Sequence, residues 1–345
     1  IGLARIMGPS FYGILGIMLS FINISQVFIL SGMPEAVSKF VSESKKKADS
    51  IVKKAFNIQI IFSIFSFLIF FLFAGKIAEL LGDSSFISYI RAASFIIIPS
   101  SLYAIYANGY LNGTRKFQQQ ASLIIIRVIL RVILAFLFVF LGWHVFGVIW
   151  AYFISALIVF IISKYNYQII PSKGKFSYMK LIKFASPLFL LALVHTLLKN
   201  IDIFFIKAIL SDNALAGFYT SASTISRTTY LVFAALPLTL LPSISRALSK
   251  KDNILTRKYI NQSLRYILML ILPATLLISA TSVNLVKLLY SVEYLSAAPV
   301  LSILVFNSMF LLTLSVLSSI INGSGKPKTT LSIVLGLLPL IVFLT

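Results

Sequence analysis

The sequence predicts an all-α polytopic membrane protein, built as two parallel-repeat six-helix bundles around a central cavity, with about ten full or nearly full spans in view. Composition, the length of the apolar runs and an internal recurrence predict it. Of 345 residues, 59% are hydrophobic and 11% charged, against about 45–50% apolar and about 25% charged in a soluble domain. A hydrocarbon core about 30 Å thick needs about 20 apolar residues per helix, and runs of that length recur along the whole chain. Strands of a β-barrel would instead alternate with period two over about ten residues, so helices are the spanning element.

The expected spans fall in order at residues 11–30, 55–75, 87–111, 121–141, 145–163, 184–209, 214–241, 259–279, 297–321 and 330–344. Pro99, Pro187, Pro237, Pro273 and Pro299 lie in or at the edges of these runs, where each removes a backbone hydrogen bond and permits a kink. The sequence opens at Ile1 and its last apolar run reaches Thr345 without a polar flank, so both ends read as truncated.

Basic residues sit on alternate connections: six in 31–54, two in 112–120, five in 164–183, five in 243–258 and two in 322–328. Between them, 75–86 holds only Lys76, 142–144 holds none and 283–296 holds only Lys287. The positive-inside bias therefore puts the basic set in the cytoplasm, which directs every span and predicts a multi-pass protein of the cytoplasmic membrane. The formal charge of +21 does not signal nucleic acid, because twenty of the thirty Lys and Arg are already accounted for by these loops. Lys45, Lys46, Lys47, Lys53 and Lys54 are placed to rest on anionic membrane lipids, each worth about 1 kcal/mol near the surface.

Comparing the chain with itself exposes an offset of about 205–210 residues. Asn112, Gly113, Thr114 and Lys116 recur as Asn322, Gly323, Ser324 and Lys326, while Tyr89, Ala92 and Ala93 recur as Tyr294, Ala297 and Ala298. An even number of spans per period gives both copies the same orientation, the parallel repeat of some secondary transporters. On this basis 1–163 is an N-terminal bundle lacking most of its first span, 164–183 a cytoplasmic linker, and 184–345 an incomplete C-terminal bundle.

The stretch Leu3-Ala4-Arg5-Ile6-Met7-Gly8-Pro9-Ser10-Phe11-Tyr12-Gly13 resembles the first extracellular turn of polysaccharide-biosynthesis membrane proteins of the O-antigen flippase type. Further stretches resemble that family in order: Phe218 to Ala222, Leu241 to Arg246, Tyr294 to Leu301 and Asn322 to Pro327. The family lies in the multidrug, oligosaccharidyl-lipid and polysaccharide exporter superfamily. The resemblance implies a flippase that moves a lipid-linked oligosaccharide, carried on phosphate or pyrophosphate, from the cytoplasmic to the outer leaflet by alternating access. It also implies a glycan polymerase or ligase of the same pathway as a partner. A multidrug cation antiporter and a peptidoglycan-precursor lipid flippase are the alternatives from the same superfamily.

Ionisable residues inside spans cost about 2.5–3.5 kcal/mol each at a helix centre on insertion scales, so each needs a reason. Arg91, Arg127, Arg131, Lys199, Arg227 and Arg265 qualify. Arg127 and Arg131, four residues apart, share a helix face. A cationic lumen formed by Arg127, Arg131, Arg227 and Arg91 suits the phosphate head of a lipid carrier, since guanidinium donates two parallel hydrogen bonds. The alternative is that these side chains bind neighbouring helices. His195, Lys199 and Asp202 share one face at i, i+4 and i+7, where Asp202 would serve H+ or Na+ coupling or simply pair with Lys199. Tyr103, Tyr106 and Tyr110 either stack on sugars or pack in the protein.

The sequence has no cysteine, two histidines, nine acidic residues and no GxxxxGK[ST] phosphate loop. Disulfides, metal clusters, thiolate nucleophiles and ATP hydrolysis by that loop have no residues to build them, so neither an enzyme nor a metal or organic cofactor is expected. The absence of native cysteine makes the topology directly testable. A Ser172→Cys chain in intact cells should react with a membrane-permeant maleimide and resist an impermeant one; labelling from outside would invert the orientation.

Overall fold

The computed structural model describes residues 1–30, 32–166, 176–233 and 253–323, with isolated positions beyond them. Among the described residues every element is helical: α1 (Gly2–Leu30), α2 (Met33–Glu43), α3 (Ala48–Leu72), α4 (Ala74–Leu80), α5 (Phe86–Ser94), α6 (Ile97–Ala104), a π-helix (Ile105–Leu111), α7 (Phe117–Phe140), α8 (His144–Asn166), α9 (Tyr178–Leu210), α10 (Asn213–Phe233), α11 (Asn253–Ala280), α12 (Ser282–Leu289) and α13 (Ala298–Gly323). A one-turn 3-10 helix covers Lys45–Lys47, and a longer one covers Val292–Ala297.

The expected all-α membrane fold is what the chain adopts. Among the described residues, six stretches are single spans by length and apolarity: Gly2–Phe28, Lys45–Leu72, Phe86–Leu111, Phe117–Phe140, His144–Tyr165 and Val292–Ile321. Leu268–Ala280 and Ser282–Leu289 form a seventh only as a broken pair bent by 74°. The run expected at 184–209 lies inside α9, and that at 214–241 starts as α10. Residues 234–241 of that run, nearly all of 330–344, the motif at 241–246 and residues 167–175 of the linker lie outside the described residues.

The chain divides into two compact units, residues 10–216 and residues 1–9 with 217–345. The break that sets residues 1–9 apart from the rest of α1 is at Gly8, whose φ of 73° is open to glycine, with Pro9 next to it.

In the unit of residues 10–216, α7 and α8 form the most extensive helix pair, and α2 packs closely on the π-helix. Its core gathers Val37, Val41, Ile51, Val52, Tyr110 and Leu111, all almost wholly buried. The spacing of α2 and the π-helix is fixed by two small residues four apart. A Cβ on Gly109 would stand 2.9 Å from Val37 Cγ1, and one on Gly113 would stand 2.7 Å from the Ser38 carbonyl oxygen. Small residues at this spacing let helix backbones approach closely in a membrane.

In the other unit, Ile271, Leu312, Val316 and Ile320 make a core between α11 and α13. The residues of the first motif are used structurally there. Arg5 Nε donates to the Leu289 carbonyl at 2.9 Å, and its Nη2 donates to the Leu288 carbonyl. These carbonyls end α12, so a guanidinium satisfies orphan acceptors and opposes the negative end of the helix dipole. Tyr294, from another of the family-like stretches, donates its hydroxyl to the Ala4 carbonyl at 2.9 Å.

The glycine contacts predict a graded stability effect. Gly113→Ala must displace backbone and should cost about 1–3 kcal/mol, while Gly75→Ala, with nothing within 4 Å of the new Cβ, should leave the thermal midpoint unchanged. Thermal unfolding of both variants in the same detergent checks this.

Candidate functional site

The inward face of α7 is defined by burial. Leu123, Arg127, Ala135 and Val139 are buried, while Ile125, Val128, Ile129, Val132 and Ile133 are exposed. This is a period near four, the inner stripe of a helix whose other face meets lipid. Arg127 therefore turns away from lipid, and the half-buried Arg131 is one turn further along. The shared face expected for this pair is present.

Neutral groups meet both guanidiniums. Arg127 Nη2 donates to the Ser100 hydroxyl at 3.0 Å, and its guanidinium carbon lies 5.0 Å from the centre of the Tyr103 ring. Arg131 lies 4.4 Å from the centre of the Tyr152 ring. Among the described residues each Nε is buried without an acceptor. Among the described residues the ion pairs are Lys53 with Asp49 and Lys207 with Asp83, so neither arginine is neutralised by a carboxylate. Cation–π contact is worth about 2 kcal/mol when desolvated, which stabilises the cations but leaves donor capacity unspent.

Ser100 owes its availability to local sequence. Ser63, Ser94, Ser101, Ser155 and Ser163 donate to carbonyls three or four residues back in their own helices. Ser100 instead accepts from Arg127. The tyrosines lie in the protein interior: Tyr103 and Tyr110 are each 2% exposed, and Tyr106 packs beside Phe56 and Phe160. Packing, not an open stacking face, is thus the use found for Tyr103 and Tyr110.

Arg91 is exposed on α5, 5.4 Å from the Phe71 ring centre. Arg227 is exposed on α10, within the unit of residues 217–345, and Arg265 is exposed on α11. Asp202 is half-buried, and its Oδ1 accepts the Ile203 N–H at 2.9 Å. The side chains of His195 and Lys199 lie outside the described residues.

A second charged site is not singled out by the sequence. Lys207 in the last turn of α9 is 1% exposed, and its Nζ donates to Asp83 Oδ2 at 3.1 Å and to the Ser211 carbonyl at 3.3 Å. Ser211, at φ 53°, ends the helix. Burial pushes the Asp83 carboxyl up, but hydrogen bonds from the Ser85 side chain and from Lys207, the Ser85 N–H and the Lys207 charge together hold it below its ordinary value. The available signal was Asp83 in the turn Gly82-Asp83-Ser84-Ser85, an acid in a connection with a single basic residue, and a lysine close to a helix end.

The profile of a family described as polysaccharide biosynthesis protein matches residues 2–299. The uncharacterized membrane protein MJ1375 of Methanocaldococcus jannaschii is 24% identical, over 96% of this chain and 81% of that one. An inward-facing multidrug resistance MATE family transporter of the MOP superfamily superposes with a TM-score of 0.79 at 13% identity, over 96% of this chain and 81% of its own. The lipid II flippase MurJ, in an inward closed conformation, gives 0.74 at 19%, over 95% and 74%. A MOP superfamily transporter from Pyrococcus furiosus, described as having a binding pocket of reverse polarity, gives 0.55 at 14%, over 95% and 76%. At these identities the structural likeness is one of fold.

Removing the Asp83 carboxylate would leave Lys207 charged and buried, so Asp83→Asn should destabilise by about 3–5 kcal/mol. Because the folded carboxyl titrates below its unfolded value, its contribution is complete above the ordinary carboxylate range and is lost as pH falls through the folded value. Thermal midpoints of the native chain should drop on acidification below about pH 4, and the component due to this group should be missing in Asp83→Asn.

Proposed function

This multi-pass membrane protein belongs to the polysaccharide biosynthesis protein family, and from that premise we propose that it is a flippase for a lipid-linked oligosaccharide, moving the head group from the cytoplasmic to the outer leaflet. The observation that carries the reading is Arg127 and Arg131, two inward guanidiniums one turn apart with buried Nε groups lacking an acceptor and no carboxylate partner among the described residues. An external anion supplies the missing acceptor. Phosphate or pyrophosphate fits because guanidinium binds it through paired hydrogen bonds, and because its charge answers two cations at once.

In this mechanism the anionic head displaces neutral partners, the Ser100 hydroxyl and the tyrosine faces, while the polyprenyl tail stays in the bilayer. Alternating exposure of the loaded site then moves the head outward. Arg227 and Arg91 add positive potential to the route. Asp202, with Lys199 and His195 on its helix face, is the carboxylate through which an H+ or Na+ gradient would drive the cycle. A glycan polymerase or ligase on the outer side would consume the product and hold the direction. A cationic drug as cargo is disfavoured by seven basic residues against one acid within the expected spans, whereas a peptidoglycan-precursor lipid shares the pyrophosphate and is separated from other lipid-linked sugars only by assay.

The test is transfer of defined lipid-linked sugars by the full-length protein in reconstituted vesicles, with and without a proton or sodium gradient. Arg131→Ala and Arg127→Ala should each lower the rate at least about 100-fold, the loss of roughly 3 kcal/mol of charge-assisted hydrogen bonding, with Lys variants recovering only part. Native rates in the Ala variants would remove these residues from the mechanism.

A further inference from the structure

Away from the arginine pair, the same unit holds an open cavity of ≈ 420 Å³ lined by Glu35, Ser38, Lys39, Asn108, Asn112 and Gln120. The volume is within the range of about 300–1,000 Å³ typical of small-molecule sites, but those are mostly apolar. Here all six lining residues are polar.

The walls are built by backbone geometry. Glu35, Ser38 and Lys39 lie on one side of α2 at i, i+3 and i+4, and Asn108 and Asn112 lie four apart where the π-helix ends. Gly109 and Gly113 alternate with those asparagines and hold α2 in direct contact with the π-helix. A π-helix puts about one extra residue into a turn and is often found at functional sites. Gln120, one turn into α7, donates its amide to Asn108 Oδ1 at 3.4 Å. Glu35 accepts the Gly32 N–H at 2.8 Å, and Lys39 Nζ lies 4.3 Å from the Phe184 ring centre, so both charged side chains have fixed anchors.

The lining chemistry selects a ligand class. One acid and one base cancel, so no net charge is offered to a phosphate or a metal ion. Three primary amides and a serine hydroxyl offer donors and acceptors side by side, the pattern that matches a ring of sugar hydroxyls. All six residues flank connections of the basic set, which the positive-inside bias assigns to the cytoplasm. We infer that this cavity binds neutral sugar hydroxyls and reads the glycan of the cargo at the cytoplasmic side, an inference that rests on the flippase reading above.

The two readings separate in one binding experiment on the full-length protein in nanodiscs. The probes are polyprenyl pyrophosphate and the same lipid carrying glucose, galactose or N-acetylglucosamine. At least one glycosylated probe should bind about tenfold more tightly than bare polyprenyl pyrophosphate, the effect of one or two added hydrogen bonds. Asn112→Ala, Gln120→Ala and Lys39→Ala should each reduce that preference without weakening the bare lipid, and Arg131→Ala should weaken all probes alike. Thermal midpoints identify any variant that has unfolded. Equal binding of every probe by the native protein, or a preference that survives all three cavity variants, overturns the sugar site and leaves the flippase reading standing. Binding of none of the probes overturns the flippase reading and the sugar site together.

Discussion

A backbone carbonyl at the end of a helix has no intrahelical donor, and in a hydrocarbon environment water does not replace it. Much of this chain's arrangement depends on how such ends are satisfied. Arg5 closes α12 by donating to Leu288 and Leu289, and Lys207 closes α9 by donating to the Ser211 carbonyl while pairing with Asp83. In both cases a cation does what a second peptide group would otherwise do. The helix dipole adds to the attraction, so a basic residue within membrane-spanning sequence becomes tolerable where a helix stops.

Arg127 and Arg131 differ from those cations in what faces them. Among the described residues a serine hydroxyl and two tyrosine rings meet them, in place of a helix end or a carboxylate. Neutral partners stabilise a guanidinium without cancelling its charge. Two such residues one turn apart repel each other, and the repulsion raises the gain from any anion that enters. The buried serines of α3, α5, α6 and α8 contribute in a different way, by being small. The hydroxyls of Ser63, Ser94, Ser101, Ser155 and Ser163 return to their own helices, so these residues permit close helix contact without adding unsatisfied groups.

The legible part of the fold was the part written in runs and loops. Apolar length marked most spans, and the shared face of Arg127 and Arg131 came from their spacing alone. The 259–279 run lies within α11, but the sharp bend after it into the short α12 could not be read, because eight residues are too few to stand out against the hydropathy around them. Burial of Tyr103 and Tyr110 could not be read either: tyrosine near a span end suits an interface, a ligand or a core, and only the neighbouring helices decide. Asp83 and Lys207 stand 124 residues apart, and no periodicity links them. The π-helix was hidden for the same reason, since what it packs against at Gly109 and Gly113 is α2, some seventy residues earlier in the chain.

The contrast between the two kinds of buried cation bears on how a carrier can hold a charged head and still release it. Lys207 is matched to a carboxylate and a carbonyl, and displacing them would strand charges at a cost of several kcal/mol; such a pair fixes structure. In the proposed cycle the arginines must instead exchange partners at every turn. A serine hydroxyl and an aromatic face bind guanidinium by about 1–2 kcal/mol each, enough to keep it off the lipid and little enough for a phosphate to displace. Pairing with carboxylates would have made the arginines cheaper to bury and useless for this exchange. Neutral partners leave the site poised between too stable to open and too costly to bury, and selectivity can then come from the uncharged part of the cargo, which the polar cavity beside the π-helix is built to meet.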